Sequence, residues 1–459
     1  MRDLTATIAA ISTPPGKGGV ALIRVSGAEA FAIADRCFRP AVGTAPLSAR
    51  APRTAVRGDF LSQGESVDDG LAFRFPAPHS YTGEDTVEFT CHGGVLVSHT
   101  VLEGLYAAGA VPATAGEFTR RAYLNGALTL TEADAIGQLL EATSRGQMRL
   151  AARESRTRLA GALDANHDRL VTLIASLYAT IDYPEEDLAD LSDAELLEGL
   201  NALTAELSAL LATYKTGHSI RIGIPTVLCG RPNVGKSSLY NLLCREDAAI
   251  VTDVPGTTRD LLERTVSLGD LTLRLTDTAG LRETEDTVEQ IGVRRTREAL
   301  GGAELVLAVL DASEPLTGED EELLGTLRSH PGTVVLCLNK CDRPGAPAFD
   351  APAGFPHIVH LSAKGGNIQP LTDLILSLFA EGAPQIGEDA ILSDARQFGA
   401  LSRARELLVS TAEAVAAGIP AEVACSEAER ALGCLSEADG RAVSEEIIDS
   451  IFSHFCIGK

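Results

Sequence analysis

The segment Gly230-Arg-Pro-Asn-Val-Gly-Lys-Ser-Ser238 lies between an apolar, strand-like stretch, Ile220 to Cys229, and a helix-forming one, Ser238 to Leu243. A glycine-rich turn between a strand and a helix lets successive backbone N–H groups converge on an anion at the helix N-terminus. That order of elements calls for an open α/β sheet around it. Behind it follow Asp277-Thr-Ala-Gly280, Asn339-Lys-Cys-Asp342 and Ser362-Ala-Lys364, each where strand-like text gives way to a loop. Within this set Lys236 reaches the β and γ oxygens of a nucleotide, and the Ser237 hydroxyl reaches Mg2+. Asp277 closes an alternating strand, Leu271 to Thr276, and faces the metal; the Gly280 N–H faces the γ-phosphate. Asp342 selects the base, because guanine offers a ring N–H and an exocyclic amine side by side to a carboxylate and adenine does not. GTP is the expected substrate.

The residues expected to touch it are Asn233, Val234, Gly235, Lys236, Ser237 and Ser238 in the loop, then Thr252, Asp253, Val254, Pro255, Gly256, Thr257 and Thr258. Asp277, Thr278, Ala279 and Gly280 follow, and then Asn339, Lys340, Asp342, Ser362, Ala363 and Lys364. Hydrolysis poses a separate problem. Ras-like enzymes orient the attacking water with a Gln directly after the Asp-x-x-Gly element, and this chain has Leu281 there. Other groups must act. Asn233 can offer its carboxamide oxygen to a monovalent cation lying against the phosphates, in place of an arginine finger. Glu289, in Asp286-Thr-Val-Glu-Gln-Ile-Gly292, is either a water-positioning carboxylate or an exposed helix glutamate. Thr257 and Thr258 supply hydroxyls to a mobile loop, one of them to Mg2+.

The chain has 459 residues, 45% of them hydrophobic, enough for several domains, and a formal net charge of -24. That charge argues against non-specific binding to nucleic acid or to anionic membranes, while leaving room for a local basic patch. No apolar run is long enough to span a bilayer, and Thr7 to Ile11 is cut short by Pro14-Pro-Gly-Lys-Gly-Gly19, so neither a signal peptide nor a span is expected. Nine scattered cysteines without a C-x-x-C pair fit a reducing compartment, and no histidine spacing suggests a transition-metal site. Cys229, Cys244 and Cys337 read as small buried hydrophobes.

Residues 1–122 read as β-rich, with strands expected over Ala6 to Ser12, Gly19 to Ser26, Leu71 to Phe75 and Thr86 to Cys91. Helical periodicity takes over from Thr131 to Leu211, and a strand pattern resumes over Tyr214 to Arg221. The expected division is 1–122, a first helical part 123–214, a nucleotide-binding domain 215–380, and a second helical part 381–459 with helices over Ser393 to Ala416 and Glu422 to Phe455. The nucleotide-binding domain is then inserted into a helical one, whose two parts pack together to bury their apolar stripes. Arg145, Arg149, Arg153 and Arg156 share one helix face, either as a phosphate-binding stripe or as a solvated, salt-bridged surface.

These motifs, together with Thr13-Pro-Pro-Gly-Lys-Gly-Gly-Val20, Ser80-Tyr-Thr-Gly-Glu-Asp85, His92-Gly-Gly94, Gly116-Glu-Phe-Thr-Arg120, Ile181-Asp-Tyr-Pro-Glu-Glu-Asp187, Asp253-Val-Pro-Gly-Thr-Thr-Arg-Asp260 and the terminal Phe455-Cys-Ile-Gly-Lys459, resemble the MnmE (TrmE) family of tRNA modification GTPases. The resemblance implies a multidomain α/β protein: an N-terminal α+β tetrahydrofolate-binding domain and an all-helical domain carrying an inserted Ras-like G domain. It also implies a cytoplasmic homodimer that joins the flavoprotein MnmG and modifies carbon 5 of the wobble uridine in certain tRNAs. The chain has no Gly-x-Gly-x-x-Gly fingerprint after a strand, so FAD is expected on the partner.

By the same resemblance, Asn233, Thr252, Val254 and Thr257 match potassium ligands, Ser237 and Thr258 magnesium ligands, and Glu289 the catalytic glutamate. Arg24, Glu88 and Lys459 fall at folate-contacting positions, and Cys456 is a candidate nucleophile beside them. One position departs from the pattern: the family usually carries a basic residue where this chain has Ala127. The alternative is a ribosome-assembly GTPase of the Era or Der type, which calls for a KH domain or a second G domain. The sequence offers neither.

Overall fold

The computed structural model describes residues 5–154, 158–182, 191–246, 263–277, 300–343, 352–380, 390–453 and 455–458. Two compact units emerge, Met1–Gly137 with Asp439–Lys459, and Gln138–Ala438.

The first unit is built on a sheet of seven strands: β1 (Ile8–Ile11), β2 (Val20–Ser26), β3 (Phe38–Pro40), β4 (Val56–Ser62), β5 (Glu65–Phe75), β6 (Thr86–His92) and β7 (Val111–Pro112). Their spatial order is β3-β4-β5-β6-β2-β1-β7. All pairings are antiparallel except β1 with β7. Alternate residues of the strands, Ile23, Val25, Phe60 and Phe89, face a core shared with α1 (Ala30–Cys37) and α2 (Val95–Ala107). Phe38, Phe60 and Phe89 meet there with ring centroids 5.3 to 5.9 Å apart.

A smaller core joins α3 (Glu117–Leu124) and α4 (Leu130–Glu141) to the C-terminal residues, through Tyr123, Leu130, Ala133, Phe452 and Phe455. Gly458 sits so close to β1 that an added Cβ would lie 2.3 Å from the Ile11 carbonyl oxygen, at a φ of +97° that itself favours glycine. The Ser12 hydroxyl donates to the Gly458 carbonyl at 2.8 Å. The terminal Cys-Ile-Gly is thereby seated in the N-terminal unit.

The second unit holds the sheet β13-β12-β11-β8-β10-β9. Its strands are β8 (Ile224–Cys229), β9 (Glu263–Leu268), β10 (Leu271–Asp277), β11 (Leu305–Asp311), β12 (Thr333–Asn339) and β13 (His357–His360). Only β9 runs antiparallel to its neighbour. β11 is buried along its whole length, as a central parallel strand covered on both faces must be. One face packs on α9 (Lys236–Glu246) and a helix further along the chain, Gln369–Ala380, through Leu239, Leu243, Leu371 and Ile375. The other packs on the helix Gly318–Leu327 through Leu324 and Leu327.

Before the sheet come α5 (Arg145–Glu154), α6 (Arg158–Asp182), α7 (Asp193–Ala212) and α8 (Tyr214–Arg221). With α9 as given, the later helices are α10 (Gly318–Leu327), α11 (Gln369–Ala380), α12 (Ala395–Ala416), α13 (Ala421–Asp439) and α14 (Glu445–Ser453). One leucine- and alanine-rich core contains Leu200, Leu203 and Leu207 of α7, Leu401 and Leu408 of α12, and Ala428 and Leu435 of α13. Helices that precede and follow this six-stranded sheet in the chain therefore bury one another's apolar stripes.

Two expectations are corrected. Tyr214 to Arg221 is a helix, held by Tyr214 stacking on Phe398 at 4.1 Å and touching His218 one turn on at 5.2 Å; the strand begins only at Ile224, after Gly223 turns the chain at φ +85°. The last helical block is broken at Gly440 (φ +91°), whose carbonyl accepts from Tyr123 Oη at 3.1 Å. Residues up to Gly137 and those from Asp439 onward form one compact unit.

Candidate functional site

The loop between β8 and α9 is shaped by glycines that nothing larger could replace. At Gly230 (φ +142°) a Cβ would lie 2.3 Å from the Val309 carbonyl oxygen, and at Gly235 (φ +104°) 2.1 Å from Asn339 Nδ2. Val234 plugs into the core between them, while Asn233, Ser237 and Ser238 face solvent. Lys236 Nζ donates to the carbonyls of Gly230 and Arg231, both at 2.8 Å, so its ammonium lies across the loop.

Asn339 ties this loop to the next one. Its buried carboxamide donates to the Val234 carbonyl at 2.7 Å and accepts from the Ala363 N–H at 2.9 Å. Lys340 reaches back to the Asn233 carbonyl at 2.8 Å. Asp342 is exposed, and its pKa is lowered, first by a hydrogen bond from Ser362 and then by its own backbone N–H. It is a carboxylate at neutral pH, as an acceptor for guanine requires. Lys364 is exposed beside it in sequence. Asp277 closes β10, in register with Leu228 next to the loop. All these elements gather at the carboxyl ends of parallel strands, where open α/β sheets bind ligands.

Thr252, Asp253, Val254, Pro255, Gly256, Thr257 and Thr258 lie outside the described residues, as do Thr278, Ala279, Gly280, Glu289 and Lys459. Of the arginine stripe, Arg149 forms a two-pronged pair with Asp270 at 2.9 and 3.1 Å, a salt-bridged face; Arg156 and the side chain of Arg153 are outside the description. Cys229 and Cys337 are buried, and burial pushes both thiols up; Cys244 packs half-buried against the same core.

In the N-terminal unit Arg24 and Glu88 are direct cross-strand neighbours on β2 and β6. Arg24 Nε and Nη2 both bind Glu88 Oε1, at 2.9 and 2.8 Å. The guanidinium lies 4.6 Å from the Tyr81 ring centre and 5.5 Å from that of Phe118. Its Nη1 is buried with no hydrogen-bond partner among the described residues. Cys456 is exposed, with its carbonyl accepting from the Gly116 N–H at 3.4 Å.

Sequence reasoning missed the group beneath this pair. Arg121, 2% exposed, donates to Glu117 Oε1 at 2.9 Å and to both oxygens of Glu84 at 3.3 and 3.2 Å. Burial opposes the charge of Glu117, but hydrogen bonds from the Thr114 N–H and hydroxyl and from Arg121 outweigh it and lower its pKa. Glu84 also accepts from Ser26 at 2.8 Å, so the network braces the turn that carries Tyr81. Asp68, Asp69 and His92 also bring ligand-type atoms together, but His92 pairs with Asp68 at 2.7 Å and Asp69 with Arg57 at 2.9 Å.

A family profile described as the MnmE helical domain matches residues 130–456, and one described as the GTP-binding protein TrmE N-terminus matches residues 7–127. The tRNA modification GTPase MnmE of Symbiobacterium thermophilum is 42% identical over 459 residues, covering 99% of each chain. That of Chloroflexus aurantiacus is 42% identical over 460 residues, again 99% of each. The chain belongs to the MnmE family of tRNA modification GTPases. Like other members of the MnmE family it is a GTP hydrolase. Among solved structures, an Aquifex aeolicus Era variant bound to GDP.AlF4- is 27% identical over 40% of this chain and 65% of its own, with a TM-score of 0.26. No described helix is long and apolar enough to cross a membrane.

The Asn339 bridge generates a test of how this MnmE-family loop is held. Asn339→Ala leaves a buried carbonyl and a buried N–H unpaired, and is expected to lower the unfolding free energy by about 1–3 kcal/mol for each. Asn339→Asp still accepts from Ala363 but sets a buried carboxylate oxygen against the Val234 carbonyl, and should be no more stable than Asn339→Ala. Urea denaturation checks the order; equal stability of all three would contradict it.

Proposed function

We propose that this chain is a potassium-stimulated GTPase that works with the flavoprotein MnmG to install an aminomethyl-type group on carbon 5 of the wobble uridine of certain tRNAs, taking a one-carbon unit from tetrahydrofolate. The observation that carries the one-carbon part is the buried, unpartnered Nη1 of Arg24 beside Glu88. An orphaned cationic N–H is costly, and a ligand carboxylate or carbonyl would satisfy it. Glu88 suits a pterin, whose amine and ring N–H form the same donor pair that guanine presents to Asp342. Seating of the terminal residues against β1 brings Cys456 into the same unit, and Lys459 would be a further folate contact. A bound tetrahydrofolate would supply the one-carbon group. Cys456 is the candidate nucleophile, and the active form is a cytoplasmic homodimer.

In the G domain, Asn233 fits a cation site. Its backbone is in the left-handed region at φ +64° and the residue is exposed, so its carboxamide oxygen would be available to a cation. Thr252, Val254 and Thr257 would complete the potassium shell, and Ser237 and Thr258 would hold Mg2+. A cation there supplies positive charge against the β/γ oxygens. Glu289 positions the attacking water in place of the glutamine that Leu281 cannot mimic.

Potassium should accelerate GTP turnover far more than sodium. Since Asn233 is left-handed, Asn233→Gly removes the carboxamide without straining the turn. It should abolish the potassium response and keep most nucleotide affinity, because Lys236 and the loop amides remain. Equal turnover in the two salts would contradict the reading.

Folate binding should be measurable by calorimetry with 5-formyltetrahydrofolate, but weak. Ala127 is exposed beside the turn at Gly83, where relatives would place a cation, and one missing charge-assisted contact costs on the order of 1.5–3 kcal/mol. Ala127→Lys should tighten binding about tenfold or more. No heat with the intact protein at high ligand concentration would refute the folate site, and an Ala127→Lys affinity equal to that of the parent would refute the explanation.

A further inference from the structure

We infer that Asp311 is a positioning residue for GTP hydrolysis, fixing the Lys340 ammonium that in turn holds the Asn233 turn of the phosphate loop. Asp311 ends β11, in register with Asn339 on β12, and its side chain is only 3% exposed. Its Oδ2 lies 2.5 Å from Lys340 Nζ, and its Oδ1 accepts from the Ser313 N–H at 3.0 Å and hydroxyl at 2.6 Å. Lys340 Nζ makes its other bond to the Asn233 carbonyl at 2.8 Å.

The backbone explains why that bond matters. Four non-glycine residues have positive φ among the described residues; Asn233 (+64°) and Lys340 (+68°) are the two in this unit. Left-handed backbone is unfavourable for a residue with a Cβ, and it persists only where the surroundings fix it. Asn233 and Pro232 are exposed, so side-chain packing does not hold the turn. The ammonium-to-carbonyl bond joins the two strained residues directly. An ammonium on a flexible four-carbon stem has no fixed direction of its own, and the buried Asp311 carboxylate gives it one. Burial opposes the Asp311 charge, yet the bonds from Lys340 and Ser313 prevail and lower its pKa. Arg231, the second residue of the loop, pairs with Glu314 at 2.8 Å and Asp320 at 3.2 Å, and Arg343 donates to Ser313 Oγ at 3.2 Å.

The inference rests on reading Gly230–Ser238 as the phosphate-binding loop. Steady-state GTP hydrolysis by the full chain tests both. Asp311→Asn should raise KM about tenfold while kcat per folded molecule stays within about twofold, because the loop amides lose their alignment on the phosphates. A residue that merely stabilised the fold would reduce the folded fraction and leave KM unchanged.

In a Lys340→Met background, Asp311→Asn should add nothing, as expected of a group acting through Lys340. Asp311→Glu, which keeps the charge, should raise KM only about threefold, and it serves as the second variant if Asn does not fold. A KM within about twofold of wild type in Asp311→Asn, or unchanged in Asp311→Glu where that variant is used, overturns the inference. So does a full additional loss on top of Lys340→Met. If Lys236→Ala leaves both KM and kcat intact, the phosphate-loop reading itself fails.

Discussion

An inserted domain needs its incoming and outgoing chains side by side, and here an ion pair holds them there. Arg221, at the end of α8, bonds Asp394 Oδ2 at 3.1 Å, while Asp394 Oδ1 caps α12 by accepting from the Gln397 N–H at 2.9 Å. Thr213 Oγ1 accepts from the Leu392 N–H at 2.9 Å, and Gly217 approaches so closely that a Cβ would lie 2.2 Å from the Leu392 carbonyl oxygen. The nucleotide-binding sheet thus hangs from one tied junction in the helical bundle. A second contact reinforces it: α5 lays Gly146 against the Asp270 carbonyl in the β9–β10 turn, flanked by the Ser144–Thr272 hydroxyl pair at 2.9 Å. Since β10 runs on to Asp277, displacement at the nucleotide end of that strand has a direct mechanical path to α5.

The same economy governs the nucleotide loop. Val234 is held through Asn339, Asn233 through Lys340, and Arg231 through Glu314 and Asp320, so three residues of the loop are anchored from the end of β12 or just beyond it, from beyond β11 and from α10. Backbone amides aimed at an anion stabilise charge most when nothing has to reorganise to meet it. Rigid anchoring on strand ends supplies that.

Much of this was legible in the sequence wherever the chemistry is local. The strand-loop-helix setting of Gly230 to Ser238 was legible because the glycines, the lysine and the strand-to-helix switch all lie within one short segment. The mutual burial of the two helical parts was also legible, since an apolar stripe with no partner demands one. Tyr214 to Arg221 misled, because it runs into the apolar strand that follows, while the contact that decides it, with Phe398, comes from a distant helix. The Arg121 network was invisible for a related reason. Its partner Glu84 is 37 residues away, and an arginine in a helix ordinarily reads as surface. Arg24 and Glu88 were placed by family resemblance alone, and only the β2–β6 register makes them neighbours.

We propose that GTP turnover in this domain is required for the modification of the tRNA. The direct measurement is mass spectrometry of wobble nucleosides from a deletion strain carrying either the wild-type chain or Glu289→Ala, alongside GTP binding and turnover of the purified proteins. The account predicts that Glu289→Ala binds GTP normally, hydrolyses it poorly and leaves the wobble uridine unmodified. Full modification by a variant that no longer hydrolyses GTP would contradict it.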